Sequence, residues 1–142
     1  MIELKIAENT LRQDGRQEFA VTVGNHSGQR PRALTNEPDD GQKTIGIVEL
    51  FNYDKVDMRA EIGIFIDESC RGNGYGKAAV TELLNHCRDV LRLHQVVCDI
   101  AAGNTASLRL FESLGFERCG LMREWTATPN GWTDAVRMQK IL

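Results

Sequence analysis

Nowhere does the sequence run apolar for the eighteen or so residues that a membrane-crossing helix needs. Its opening, "MIELKIAEN", is too polar to read as a secretory leader. Cysteines are few and scattered: Cys70, Cys87, Cys98 and Cys119 form no C-x-x-C, and His26, His86 and His94 stand in no ligand spacing with them. That excludes the common zinc patterns, and no metal is expected. A chain of 142 residues buries a core without disulfides, so the four thiols read as reduced and the protein as cytoplasmic. An excess of positive charge is also missing. Seventeen Lys and Arg face twenty Asp and Glu, a net charge of −3, which leaves no basic field to hold nucleic acid. There is no internal repeat and no linker, so residues 1–142 read as one domain with no membrane partner.

Periodicity places the elements that are there. "EFAVTV" (18–23), "KTIGIVELF" (43–51) and "RAEIGIFI" (59–66) are β-rich runs, the last two joined by a hairpin. Residues 24–42 carry two of the three prolines and many turn formers, which predicts a long mobile loop. In "KAAVTELLNHCRDVLRL", Val80, Leu84, Cys87 and Leu91 share a helical face with Leu83 beside them. "QVVCDIA" (95–101) reads as a buried strand. "GNTASLRLFESLG" reads as a short helix, capped by Asn104 or Thr105 and ended by Gly115. Two strands follow, turning at "TPNG". The first fifteen residues are a strand or the remnant of a helix. The order β-β-β-α-β-α-β-β describes a mixed α/β sheet with helices packed on it.

"RGNGYGK" (71–77) raises the functional question, because so much bare backbone lies between two cations. It is not a P-loop: the first glycine of G-x-x-x-x-G-K-[ST] falls on Arg71, and Ala78 follows Lys77. Nor is it a dinucleotide fingerprint, since the last glycine of G-x-G-x-x-G falls on Lys77. What remains is a strand running into a glycine loop that opens a helix. Free N–H groups and the positive helix dipole meet there, a ready anion site. The plainer alternative is a glycine-rich turn with two solvated cations.

Arg71, Gly74 and Gly76 match [RQ]-x-x-G-x-[GA], and "AEIGIFIDESCRGNGYGKAAVTELL", "HQVVCDIAAGNTASLRLFESLGFE" and "GLMREW" extend the match over roughly residues 44–142. In these stretches the chain resembles the GNAT N-acetyltransferase superfamily, most of all its ribosomal-protein N-terminal and spermidine acetyltransferase branch. The resemblance implies the GNAT fold, a mixed, mostly antiparallel sheet flanked by helices, here with the N-terminal strand and helices shortened. It implies acetyl-CoA as donor and a primary amine, polyamine-like or a protein N-terminus, as acceptor. The pyrophosphate would lie on Arg71, Gly72, Asn73, Gly74, Tyr75, Gly76 and Lys77. The pantetheine arm would meet Ile64, Phe65 and Ile66, and Asn104 and Ser107 match further cofactor contacts. Helix capping alone also accounts for Asn104.

Transfer to an amine requires removal of a proton, and Glu61, ten residues before Arg71, matches the position of a general base in the superfamily's histone acetyltransferases. The alternative is a strand carboxylate paired with a neighbouring Lys or Arg. Phe111 stands where many members carry a tyrosine general acid, in "LFESLGF". This departure and the short N-terminal part keep open a non-catalytic acyl-CoA-binding module and a structural αβ domain. A shortened sheet leaves an edge and an apolar face to be covered, and Trp125, Trp132, Val136, Met138 and Ile141 supply apolar cover, so a homodimer is expected.

Overall fold

A computed structural model describes residues 2–11, 16–24 and 42–142. The elements are β1 (Ile2–Leu11), β2 (Gln17–Gly24), β3 (Gln42–Asp54), β4 (Arg59–Ile66), α1 (Tyr75–Asp89), β5 (Gln95–Ala101), α2 (Thr105–Ser113), β6 (Glu117–Thr128) and β7 (Gly131–Ile141). A single 3-10 turn, Glu68–Cys70, stands between β4 and α1. The strands form one sheet in the order β1-β2-β3-β4-β5-β7-β6. β4 and β5 run parallel and every other neighbouring pair is antiparallel. The mixed sheet with two helices agrees with the expected architecture.

Alternation decides which face the core takes. In β4 Ala60, Ile62 and Ile66 are buried; in β5 Val96, Cys98 and Ile100; in β7 Val136 and Met138. α1 closes over this face with Ala79, Val80, Leu83, Leu84 and Cys87, spaced by threes and fours along one stripe. α2 adds Leu108 and Phe111. Leu91 belongs to the same core but lies beyond the helix, whose C-cap is Val90. α2 starts at Asn104, whose side chain accepts from Ser107 N–H at 3.2 Å, and Gly115 follows its end with φ +89°. Asn104 rather than Thr105 is therefore the cap.

The ambiguous N-terminal stretch is a strand, antiparallel to β2. Residues 12–15, between the two strands, lie outside the described residues, and the expected shortening of the N-terminal helices falls there. The predicted loop at 24–42 lies outside the described residues but for its two ends. The C-terminal apolar residues divide. Val136 and Met138 are in the core, whereas Trp125, Trp132 and Ile141 are more than half exposed. Val136 and Met138 are thus not available to a partner surface, because β7 lies inside the sheet between β5 and β6.

All four cysteines are free, and burial pushes the Cys87 and Cys98 thiols up to about 12. Among the described residues, no helix is long and apolar enough to cross a membrane, and no group of His, Cys, Asp and Glu is arranged to hold a metal ion.

Candidate active site

β4 and β5 share three residue pairs, Arg59–Gln95, Ala60–Val96 and Glu61–Val97, and then part. β4 continues to Ile66 held by β3 alone, while β5 pairs with β7 along its length. Two hydrogen bonds tell which backbone groups face the opening. Met58 C=O accepts from His94 N–H at 2.7 Å, on the β5 side, and Asp67 N–H donates to Ile45 C=O at 2.7 Å, on the β3 side. Strict alternation between these points turns the main-chain groups of Ile62, Ile64 and Ile66 toward the opening and those of Gly63 and Phe65 toward β3.

The loop that follows is built from short-range bonds. Asp67 caps the 3-10 turn, accepting from Ser69 N–H at 3.2 Å. Arg71 folds back, its Nε donating to Ile66 C=O at 3.0 Å and its guanidinium lying 5.7 Å from the Phe65 ring centre. Gly72 and Gly74 both take positive φ, +82° and +76°, a region that costs any residue with a Cβ. Gly74 is the N-cap of α1 and brings no side chain to it. The first helical bond runs from Ala78 N–H to Gly74 C=O at 3.1 Å. The N–H groups of Tyr75, Gly76 and Lys77 therefore have no intrahelical acceptor, at the positive end of the helix dipole and with no acidic residue in the first turn.

A cavity of about 410 Å³ lies between this loop, the end of β4 and the start of α2. Eleven of the twelve residues expected to touch a cofactor line it. Ile64, Phe65 and Ile66 come from β4, and Arg71, Gly72 and Gly74 from the loop. Tyr75, Gly76 and Lys77 come from α1, and Asn104 and Ser107 from α2. Asn73 does not line it; its Nδ2 donates to Cys70 C=O at 3.2 Å and braces the loop from within. Cys70, Ala106 and Leu110 line the cavity without having been expected. Leu110 was legible, since it follows Ser107 by three residues on the same helix face. Asn104 holds both of its readings at once, capping α2 and lining the cavity.

Glu61 lies on the other face of β4, at the last pair before the strands part. Its Oε1 accepts from Arg137 Nη2 at 3.0 Å, and its Oε2 accepts from Asn52 Nδ2. Arg137 is itself held by Asp99, through Nε to Oδ1 at 2.8 Å and Nη2 to Oδ2 at 2.9 Å. The hydrogen bonds that Arg137 donates to Asp99 hold its guanidinium protonated well beyond its ordinary range. Glu61 is thus the paired strand carboxylate that the sequence left open, and it is not a lining residue of the cavity. Phe111 is buried, edge-on to Phe116 with ring centres 5.0 Å apart. It offers no proton and does not line the cavity.

Known proteins resemble the chain in sequence and in fold. The chain is 29% identical over 101 residues to the spermidine N(1)-acetyltransferase of Vibrio cholerae, covering 70% of this chain and 58% of that protein. It is 28% identical over 120 residues to the [ribosomal protein bS18]-alanine N-acetyltransferase of Salmonella typhimurium, covering 82% of this chain and 76% of that one. The chain thus spans less than two thirds of the first relative's length. A dodecameric structure of the Vibrio cholerae spermidine N-acetyltransferase superposes with a TM-score of 0.75 at 22% identity, covering 94% of this chain and 69% of the other, which speaks for the fold. The acetyltransferase (GNAT) domain family matches residues 5–117, more than half of the sequence, and the chain belongs to it.

Proposed function

We propose that this protein moves an acetyl group from acetyl-CoA to a primary amine, of a polyamine-like small molecule or of a protein N-terminus, by direct transfer. One observation carries the reading: three uncapped N–H groups at the start of α1 open into a cavity that continues along the free edge of β4. The donor set suits a pyrophosphate, which binds where helix N-termini present unpaired N–H groups. The main-chain groups of Ile62 and Ile64, and the N–H of Ile66, whose C=O accepts from Arg71, suit the amides of an extended arm. Acetyl-CoA, the substrate that these residues would hold, supplies the acetyl group as a thioester.

The chain's own part is proton handling and orientation. An alkylamine near pH 7.4 is neutral only about one time in a thousand. Glu61 accepts its proton directly or through a water; each of its oxygens has one protein bond and a second lone-pair direction left. The amine nitrogen then bonds to the thioester carbonyl carbon, the C–S bond breaks, and the sulfur leaves with its electron pair. A thiolate is a weak enough base to leave without a donor, which accommodates a buried Phe111. That same phenylalanine favours a second reading, an acyl-CoA-binding module without turnover. Free-thiol release from acetyl-CoA across a panel of amines separates the two, and an inactive protein that still binds acetyl-CoA supports the second.

The chain's free thiols suit a cytoplasmic site. For assembly, β6 is an edge strand with nearly all of its side chains exposed, and Leu121, Trp125 and Trp132 stand out as large apolar groups there and on the adjoining β7. Edges of this kind are covered in soluble proteins. A homodimer through this edge is the simplest closed arrangement.

Four outcomes are expected. Gly74→Val forces a β-branched residue into φ +76° and turns the first-turn N–H groups away, so acetyl-CoA binding by calorimetry weakens more than tenfold, about 1.4 kcal/mol. Unchanged affinity would remove the pyrophosphate assignment. Gly76→Val weakens binding by another route: its Cβ would already be in contact with Leu110 Cδ2 at 3.4 Å, so the γ-methyls beyond it take space from the cavity that both residues line. Glu61→Gln lowers kcat about a hundredfold with acetyl-CoA affinity nearly unchanged, and turnover near wild type would leave Glu61 a structural residue. Light scattering at micromolar concentration gives about twice the chain mass of 15.9 kDa; the single mass would exclude the dimer.

A further inference from the structure

The carboxylate at the parting of β4 and β5 does not stand alone. Asp99 and Arg137 are directly paired across β5 and β7, and the Arg137 guanidinium meets Asp99 with two bonds. From β7 it reaches past β5 to Glu61 on β4. One side chain thus ties together three strands at the place where the two halves of the sheet are about to separate. Asn52, at φ +50° in the irregular end of β3, closes the fourth side by donating to Glu61 Oε2.

We propose that Arg137 is a positioning residue for the reaction: anchored by Asp99, it fixes the orientation of the Glu61 carboxylate at the mouth of the opening and sets a positive charge beside it. This rests on the proposed role of Glu61 as base. Two carboxylates that share one guanidinium carry a net charge of −1, which also suits the approach of an ammonium ion. The cluster is only partly exposed, with side-chain exposures of 18% for Glu61, 22% for Asp99 and 39% for Arg137, so the pair is screened less than a surface ion pair.

The charges around Glu61 are few among the described residues. β7 supplies Arg137 and β5 supplies Asp99. β3 supplies Asn52, and also Glu49, which faces the same side and is paired with Arg16 at 3.1 Å. On its own strand Arg59 is two residues away and is paired with Asp54 and Asp57. Arg137 is the cation bonded directly to Glu61. Without it, Glu61 and Asp99 are like charges on one small patch, and one of them takes up a proton more readily.

The test compares wild type, Arg137→Gln, Arg137→Lys and Glu61→Gln. Each is assayed by thiol release from acetyl-CoA with spermidine and with a short alanine-initiated peptide, as a function of pH. Acetyl-CoA affinity and thermal melting are measured alongside. In Arg137→Gln the carboxylate loses its cation, so activity is lost from the acidic side first. The acidic limb moves up by about one pH unit. kcat at neutral pH falls about tenfold or more, with acetyl-CoA affinity within about twofold of wild type. Arg137→Lys keeps the charge but not the fork, so the limb returns toward its wild-type position while kcat recovers in part. An Arg137→Gln profile that matches wild type, beside an inactive Glu61→Gln, overturns the clamp and leaves the base standing. A lower kcat with an unmoved limb and no rescue by lysine makes Arg137 structural only and also overturns it. Turnover near wild type in Glu61→Gln, or none by the wild-type protein with either amine, overturns the reading of Glu61 itself and the clamp with it. Should Arg137→Gln melt below the assay temperature, the lysine variant decides, since an unmoved limb with full kcat there means that the fork geometry has no role.

Discussion

Three residue pairs join β4 to β5, and everything that gives this protein a site follows from their stopping at Glu61 and Val97. A parallel pair in the middle of a sheet normally keeps its ladder, because each unpaired N–H and C=O carries a cost when buried. Here β3 holds β4 and β7 holds β5, so each strand keeps a full partner on its outer side while the inner sides separate. The separation leaves main-chain groups of β4 facing a cavity rather than a neighbour, which is what an extended ligand with amides of its own can complete. It also sets the two faces of the sheet different tasks. The face under α1 and α2 holds the cavity, and the opposite face holds Glu61, Asp99 and Arg137.

The loop after β4 depends on the same separation. Because β4 is free on one side at its end, Arg71 can turn back and donate to Ile66 C=O, closing the strand with a side chain in place of a neighbouring strand. Two left-handed glycines then bring the chain round in the few residues between that bond and the first turn of α1. No serine, threonine or aspartate caps the helix, although the chain uses Asp67 and Asn104 for that purpose on either side of it. A capping side chain in place of Gly74 would gain only about a few tenths of a kcal/mol over glycine, would strain a backbone at φ +76°, and would fill the anion site with its own oxygen. The glycine cap therefore leaves the first-turn N–H groups open to a ligand's charge at little cost to the helix.

Much of this was legible in sequence because its causes are local. The 95–101 strand, the Asn104 cap, the Gly115 ending and the glycine loop all follow from chemistry within a few residues, and each stands where expected. The opening fifteen residues were ambiguous because a single apolar-polar stretch carries both periods; pairing with β2 decided for a strand. Val136 and Met138 looked like surface cover because they come late in the chain, but chain order is not sheet order: β7 inserts between β5 and β6. Arg137 and Asp99 had no local signal at all. Their partnership with Glu61 spans up to 76 residues and exists only once three strands are in register.

That long reach bears on what Glu61 can be. A strand glutamate that is merely ion-paired and one that accepts protons are usually treated as rival readings, since pairing neutralises the charge that catalysis would use. The geometry removes the conflict. A single guanidinium is shared between two carboxylates, so pairing does not exhaust the negative charge, and one bond to each Glu61 oxygen does not exhaust its lone pairs. A carboxylate at the open end of a splayed sheet faces two hazards: rotamer freedom, because half of its neighbours are gone, and like-charge repulsion, because Asp99 lies on the same patch. Arg137, forked onto Asp99, answers both at once, holding the Glu61 side chain by a directed bond and offsetting the repulsion by its charge. An ion pair placed at this point of the sheet is therefore part of what makes a carboxylate here usable, and its strength is set from β5, by Asp99, rather than by the strand that carries the base.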